Sequence, residues 1–522
     1  MKQNRPNIVL IMTDEMRGDC MGAAGHPDVK TPYLDSLAAN GIYFPNAQSA
    51  CPSCVPARAV LHTGLSPQHC GRVGYADGVS WDYPCTLAGQ LAKAGYYTQC
   101  VGKMHVHPLR RTLGFHNVEL HDGYLHHYRY SSVPYGENQQ YADDYFYWLK
   151  NELGVSADVT ATGIDCNSYI ARPWCYPEQY HPTNWVTDRS IDFLRRRDPD
   201  MPFFLMVSYV RPHAPYDAPQ CYFDMYEHKK LRPPVSGDWD DREALARQGR
   251  QFNTSTGPAD SELIRRQQVG YYACITHVDH QIGRLLIALT EHRLENNTVI
   301  LFTSDHGELL SDHCLSRKSR AYKGSANIPM IVSGPKEFIG AQGVVSENLV
   351  ELRDVMPTCL ALAGAEQPYT DGGNMLTEEL NHRTYLHGEH TAGELSSHWI
   401  VTAKDKYVWY SQTGAERYFQ LDADPEERHN AVHDAACRER VEELRSLLIQ
   451  ELTGREEGFT DGSQLFLKRP VSPLPDDGAG AEFIKTKGFL RRREAEESLH
   501  FAGTRNASRL SLVDYADKTA PR

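Results

Sequence analysis

Four short apolar runs, each followed at once by acidic, basic or histidine residues, constrain the fold of this chain more than any other feature. Residues 7–12 run into Thr13-Asp14-Glu15, residues 96–101 into Gly102-Lys103-Met104-His105, residues 203–210 into Arg211-Pro212-His213, and residues 298–303 into Ser304-Asp305-His306-Gly307. Short apolar runs bounded by polar residues and separated by helical patterns read as buried strands of an α/β sheet. In open α/β sheets ligands bind outside the carboxyl ends of the strands. Asp14, Glu15, Lys103, His105, His213, Asp305 and His306 are therefore expected to converge on one face. Taken singly, an Asp-Glu pair after a strand is also a common cap or turn, a lone histidine a structural group and a lone lysine surface charge. The recurrence at four strand ends favours a shared site.

Helical patterns cover 32–40, closed by Gly41, 86–94, closed by Gly95, and 261–294. The stretch CPSCVPARAVLHTG at 51–64 reads as a short helix with Pro56 in its first turn and Gly64 as its stop. A thiol at its N-terminus would feel the helix dipole and Arg58, which favour an anion there. Three readings stay open on these residues: a reactive or anion site, a C-x-x-C redox pair or half zinc site, and a buried inert pair. Residues 105–180 are irregular and rich in His and Tyr, and read as long substrate-side loops. Beyond about residue 364, residues 383–390, 398–410 and 417–421 alternate like strands of a small antiparallel sheet, followed by a helix over 434–452. The expected class is α/β: a large, mostly parallel central sheet flanked by helices, with a smaller C-terminal α+β subdomain. The expected division is 1–370, 371–458 and a polar tail, 459–522, that is either disordered or wrapped around a neighbouring subunit.

The chain has 522 residues and a net charge of −13, which argues against nucleic acid or an anionic membrane as the main partner. Thirteen cysteines, an odd number, fit a reducing compartment. The first apolar run is too short for a signal peptide or a membrane span, so a cytoplasmic location is expected. Asp14, Glu15, Asp305 and His306 are mostly hard oxygen donors, which favour calcium or magnesium over a thiolate-bound zinc.

Cys54-Val55-Pro56-Ala57-Arg58, followed by Thr63-Gly64, resembles the C-x-P-x-R signature of the formylglycine-dependent (type I) sulfatases of the alkaline phosphatase superfamily. The likeness extends over roughly residues 5–430. It includes Asp14-Glu15, Gly102-Lys103-Met104-His105, Pro212-His213-Ala214-Pro215-Tyr216, Ser304-Asp305-His306-Gly307, and Lys318 four residues before Tyr322. The resemblance implies the alkaline phosphatase-like sulfatase fold and oxidation of Cys54 to formylglycine; Cys51 fails the spacing. It implies one divalent metal, foremost Ca2+ with Mg2+ or Mn2+ as alternatives, held by Asp14, Glu15, Cys54, Asp305 and His306. Arg58 would hold the hydrated aldehyde, and Lys103 and Lys318 would neutralise sulfate oxygens. His213, with Lys318, would protonate the departing alcohol, and His105 would take the proton that releases sulfate. His387, with His390 beside it, is a candidate substrate contact from the C-terminal subdomain.

The implied partners are a small sulfated sugar, aryl or alkyl ester and a formylglycine-generating or radical maturase, with the tail as a possible oligomerisation segment. Glu15 stands where many members have Asp, and His306 where many have Asn. The Asp-His pair and GKMH are similar to choline sulfatase and the phosphonate monoester hydrolases. A phosphonate monoester or phosphodiester is therefore the alternative substrate, having the same charge and a similar shape. A two-zinc phosphatase would want a Ser or Thr nucleophile, and a binding protein on a decayed scaffold would not need the intact site residues.

Overall fold

The computed structural model describes residues 5–76, 79–123, 143–154, 170–243, 257, 260–391 and 393–469. In chain order the strands are β1 (Asn7–Asp14), β2 (Gly41–Tyr43), β3 (Ala47–Gln48), β4 (Tyr97–Gly102), β5 (Asn117–Leu120), β6 (Phe203–Pro212), β7 (Thr298–Ser304), β8 (Met330–Ser333), β9 (Val344–Val345), β10 (Val350–Glu351), β11 (Leu386–His390), β12 (Ser397–Val401), β13 (Asp405–Tyr410) and β14 (Glu416–Gln420). The main sheet has the order β5-β4-β6-β1-β7-β8-β2-β9. β5, β4, β6, β1 and β7 are parallel, and β8 runs antiparallel to both its neighbours.

The alternation along β1 supplies both faces of the sheet. Val9 and Ile11 enter one core with α1 (Pro32–Ala39), α4 (Pro182–Arg196) and α5 (Ser261–Glu291). Ile8, Leu10 and Met12 enter the other with α2 (Cys54–Thr63), α3 (Leu87–Lys93) and α6 (Val355–Ala363). A strand covered on both sides reads as a continuous apolar run, which is the pattern in the sequence. β1 lies between β6 and β7, so the connection from β6 to β7 crosses over it. The carboxyl ends of β6, β1 and β7 therefore open onto one crevice.

The C-terminal sheet is antiparallel, β11-β12-β13-β14. One face packs on α7 (Arg438–Leu452) and the other on Ala321, Ala326 and Leu349 of the larger unit. The run 398–410 is two strands rather than one, because Thr402 turns the chain between β12 and β13. Phe459, at the head of the segment read as a polar tail, is fully buried beside His398 and Trp409. Residues 470–522, with the tail's suggested role, lie outside the described residues, as does much of the 105–180 region. Within that region β5 and a helix, Asp144–Leu153, are ordered elements. Among the described residues no helix is long and apolar enough to cross a membrane.

Candidate active site

α2 begins at Cys54, preceded by an extended Ser53, and stops at Gly64, whose φ of 68° suits a residue without a side chain. All ten of its residues are buried, which fixes its N-terminus rigidly against the strand ends. At β4, Gly102 has φ of 103°, and a Cβ there would lie 2.0 Å from the Ser208 carbonyl oxygen. Only glycine lets β4 end this close to β6 and turn Lys103 inward.

Asp14 is the last residue of β1; Lys103 follows β4, His213 follows β6, and Asp305 and His306 follow β7. One ligand atom from each of Asp14, Cys54, Asp305 and His306 lies within 4.8 Å of the others. Cys54 Sγ is 3.2 Å from His306 Nε2 and 3.6 Å from Asp14 Oδ1. Lys103 Nζ donates to Asp14 Oδ2. Arg58 Nε donates to Asp305 Oδ2 at 2.9 Å, and its Nη1 to the Lys103 carbonyl at 2.8 Å and Ser208 Oγ at 3.0 Å. Lys318 Nζ lies 3.0 Å from Glu15 Oε1, and His213 Nε2 lies 3.3 Å from Glu15 Oε2. Glu15 adopts φ of 71°, held by its amide on Asp305 Oδ1 and by Tyr271, which donates to its carbonyl at 2.6 Å. Left-handed backbone at a non-glycine residue stores about 1–3 kcal/mol and persists only where neighbours over-determine it.

Burial alone would raise the Asp14 carboxyl, but Lys103, His213, Lys318 and Arg58 together hold it well below the ordinary carboxylate range. Lys318 loses to burial but gains more from Cys54, Glu15 and Asp14, so it stays charged. His213 is pushed well down by burial and then by Lys318, leaving a neutral imidazole. The thiol of Cys54 is raised by burial and by Asp14, against Lys103 and Lys318. Of the two influences read from the sequence as favouring an anion there, Arg58 is turned onto Asp305, and a carboxylate faces the sulfur.

Residues 6–365 match the model of the sulfatase family. The chain belongs to the sulfatase family. It is 49% identical over 476 residues to an arylsulfatase of Clostridium perfringens, covering 90% of this chain and 99% of that one. It is 30% identical to a choline-sulfatase of Rhizobium meliloti, covering 83% of this chain and 84% of that one. The crystal structure of a phosphonate monoester hydrolase of Agrobacterium radiobacter superposes with a TM-score of 0.69 over 89% of this chain and all of that one. At 24% identity this last likeness shows the shared fold alone.

Membership of the sulfatase family implies a formylglycine and a divalent metal, and the residues present fit both. His306 Nδ1 donates to the Gly307 carbonyl at 2.9 Å, which leaves the Nε2 lone pair facing the two carboxylates and position 54. Two carboxylates, one such nitrogen and a side chain at 54, all sealed from solvent, suit a small hard cation. Glu15 stands outside this group of four, its carboxylate bracketed by Lys318 and His213.

His105 has φ of 58°, and its amide, with that of Met104, donates to Asp122 Oδ1 at 2.9 and 2.6 Å. His387 lies on the face of β11 opposite Ile400, in the core beneath α7, stacked 5.7 Å from His398. His390 falls on the other face, with Leu386 towards the catalytic unit. Burial first, then Arg320, lowers it to about 3, and His306 is near enough to contribute. Ser208, Asp122 and Tyr271, which orient site residues through hydrogen bonds, carry no sequence signal that singled them out.

Proposed function

We propose that this chain hydrolyses an organic sulfate monoester to the alcohol and inorganic sulfate, with Cys54, oxidised to formylglycine, at the nucleophile position. The observation that supports this most is the meeting of Cys54 with Asp14, Asp305 and His306 in a sealed pocket ringed by Lys103, Arg58 and Lys318. A sulfate ester carries negative charge on the group under attack, so fixed positive charge around it is the main requirement. A divalent metal, calcium by the hard-donor majority, would supply further positive charge and acidify a bound hydroxyl. Formylglycine would supply, as its hydrate, two hydroxyls on one carbon, the second allowing sulfate release without a separate attacking water.

The remaining roles belong to this chain's own side chains. Arg58, locked on Asp305 and the Lys103 carbonyl, holds position 54 in line. Lys103 and Lys318 bind sulfate oxygens; Lys318, with 13% of its side chain exposed, is the most accessible of the three cations. Lys318, which stays charged, delivers the proton to the leaving alcohol; His213, expected from the sequence to share this role, is a neutral imidazole whose Nδ1 donates to the Ala214 carbonyl, so it orients the donor from the other side of Glu15. His105 takes the proton that accompanies sulfate release. The substrate is a small sulfated sugar, aryl or alkyl compound, and a maturase acts on Cys54. The twelve described cysteines are all free, which supports a reducing, cytoplasmic setting.

Initial rates on 4-nitrophenyl sulfate and on the 4-nitrophenyl ester of phenylphosphonate, at equal concentration, test the reading. Faster sulfate turnover is expected, together with a peptide spanning residue 54 whose mass shows CH2–SH replaced by CHO. Preferential phosphonate turnover, or full sulfatase activity with an intact thiol, would overturn it.

A further inference from the structure

The cations of the catalytic centre are neutralised by carboxylates, but a second basic group beside it is not. Arg320 is 8% exposed. Its Nη1 donates to the Ser319 carbonyl at 3.0 Å, and no carboxylate among the described residues lies within ion-pair distance of its guanidinium. Arg417 of β14 sits 4.1 Å over the ring of Trp239 and donates from Nη1 to Tyr410 Oη at 3.3 Å, again with no carboxylate in ion-pair contact among the described residues. Asp240 and Asp241 are near enough to act on Arg417, but Asp240 is itself 3.1 Å from His313 Nδ1. Burial first, with Arg320 adding to it, lowers Arg417 to about 10. Tyr410 Oη in turn is 2.6 Å from Tyr322 Oη.

The group adjoins the catalytic centre. Ser319 donates its amide to the Pro52 carbonyl, two residues before Cys54, at 2.9 Å, and Lys318 lies two residues before Arg320. His390, 5% exposed with Nε2 unpartnered, is within electrostatic reach of both Arg320 and His306. Two guanidinium groups, tyrosine hydroxyls and a neutral imidazole thus meet where the catalytic unit touches the C-terminal sheet. Desolvating two like charges without a counter-ion is costly unless an anion joins them. A guanidinium fork matches a planar carboxylate or a sulfate in two parallel hydrogen bonds.

Resting on the sulfate-ester reading above, we infer that Arg320 and Arg417, with Tyr410 and His390, form a subsite for a second anionic group of the substrate, a carboxylate or a second sulfate on the alcohol part. The preferred substrates are accordingly dianionic, with one sulfate at position 54 and the other charge at the seam. A free inorganic anion could satisfy the same donors, and the experiment separates the two sources.

The test measures kcat/KM for 4-nitrophenyl sulfate and for nitrophenyl sulfates carrying a ring carboxylate at different positions, in wild type, Arg320→Gln and Arg417→Gln. Comparing ratios cancels the leaving-group difference between substrates. At least one carboxylated isomer is expected to lose about tenfold more than 4-nitrophenyl sulfate in Arg320→Gln, the size of one lost charge-assisted pair. Arg417→Gln is expected to shift the ratio in the same direction, and Arg320→Lys to recover only part of it. Equal losses on all substrates in both arginine variants would overturn the subsite. So would a change in inhibition by inorganic phosphate with no change in the ratio, which would assign the donors to a free anion. Thermal melting of each variant identifies one that fails to fold, in which case the other arginine decides. Absence of sulfatase activity in the wild type would instead defeat the catalytic reading on which the subsite rests.

Discussion

The strand-end centre and the seam beside it treat positive charge in opposite ways. Arg58 and Lys103 are each locked on a carboxylate, with side chains at most 1% exposed. Arg417 stacks on rings and bonds Tyr410 Oη, and Arg320 bonds the Ser319 carbonyl, each without an acidic partner among the described residues. The paired charges set geometry: Arg58 joins Asp305 after β7, Lys103 after β4 and Ser208 within β6, and cannot move without breaking all three contacts. The unpaired ones leave binding capacity unspent. In a sulfatase the first arrangement suits chemistry common to every ester, and the second suits choice among esters.

This contrast can be broken by experiment. Cys54→Ala is expected to abolish turnover, by about 10^4-fold or more, while leaving the circular dichroism spectrum and melting unchanged; retained activity would remove position 54 from the chemistry. Arg58→Ala strands Asp305 without its counter-charge and should cost about 3–5 kcal/mol in urea denaturation. Arg320→Gln should change stability by less than about 1 kcal/mol, because no carboxylate is left stranded; an equal cost for the two would erase the distinction. Calcium at about a hundredfold over its Kd should stabilise the fold by about 3 kcal/mol through the carboxylates at 14 and 305, read as a rise in Tm independent of turnover. Zinc producing the larger rise would sharpen the donor argument against calcium.

The smallest effect concerns an exposed contact between the larger unit and the C-terminal subdomain. His429 lies between Asp434 and Asp238, whose hydrogen bonds raise its pKa. A raised histidine stabilises fully below its unfolded value of about 6.5 and loses that contribution as pH rises through the folded value. Wild type should thus show a slightly higher Tm than His429→Gln in mild acid and none in mild alkali.

Much of the centre was legible because it is built from strand ends. A buried parallel strand must read as an apolar run, and its first polar residues must emerge at the carboxyl edge, so Asp14, Lys103, His213 and Asp305 announced themselves. Residues 387 and 390 carried a usable signal too: three apart in a strand, they fall on opposite faces. Which face meets the catalytic unit depended on packing, with Ile400 beneath α7 and Leu386 against Ala321. The surroundings of the thiol were only half legible, since a helix N-terminus and a nearby arginine are local features whereas burial and Asp14, which raise it, are not. The Arg320 and Arg417 pair could not be read at all, because each is an ordinary arginine until the antiparallel sheet docks.

The position of β1 has one more consequence. It is hydrogen-bonded along both edges, to β6 and to β7, and covered on both faces. Its amides therefore belong to the most protected unit of the molecule and exchange with solvent only when the whole sheet opens. Asp14, at its end, and Asp305, directly after β7, are anchored to that unit. Heat inactivation of the centre should coincide with global unfolding, while the seam, joined by side-chain packing and a few isolated backbone bonds such as the Glu389 amide to the Ala50 carbonyl, can open at lower temperature without disassembling the catalytic carboxylates.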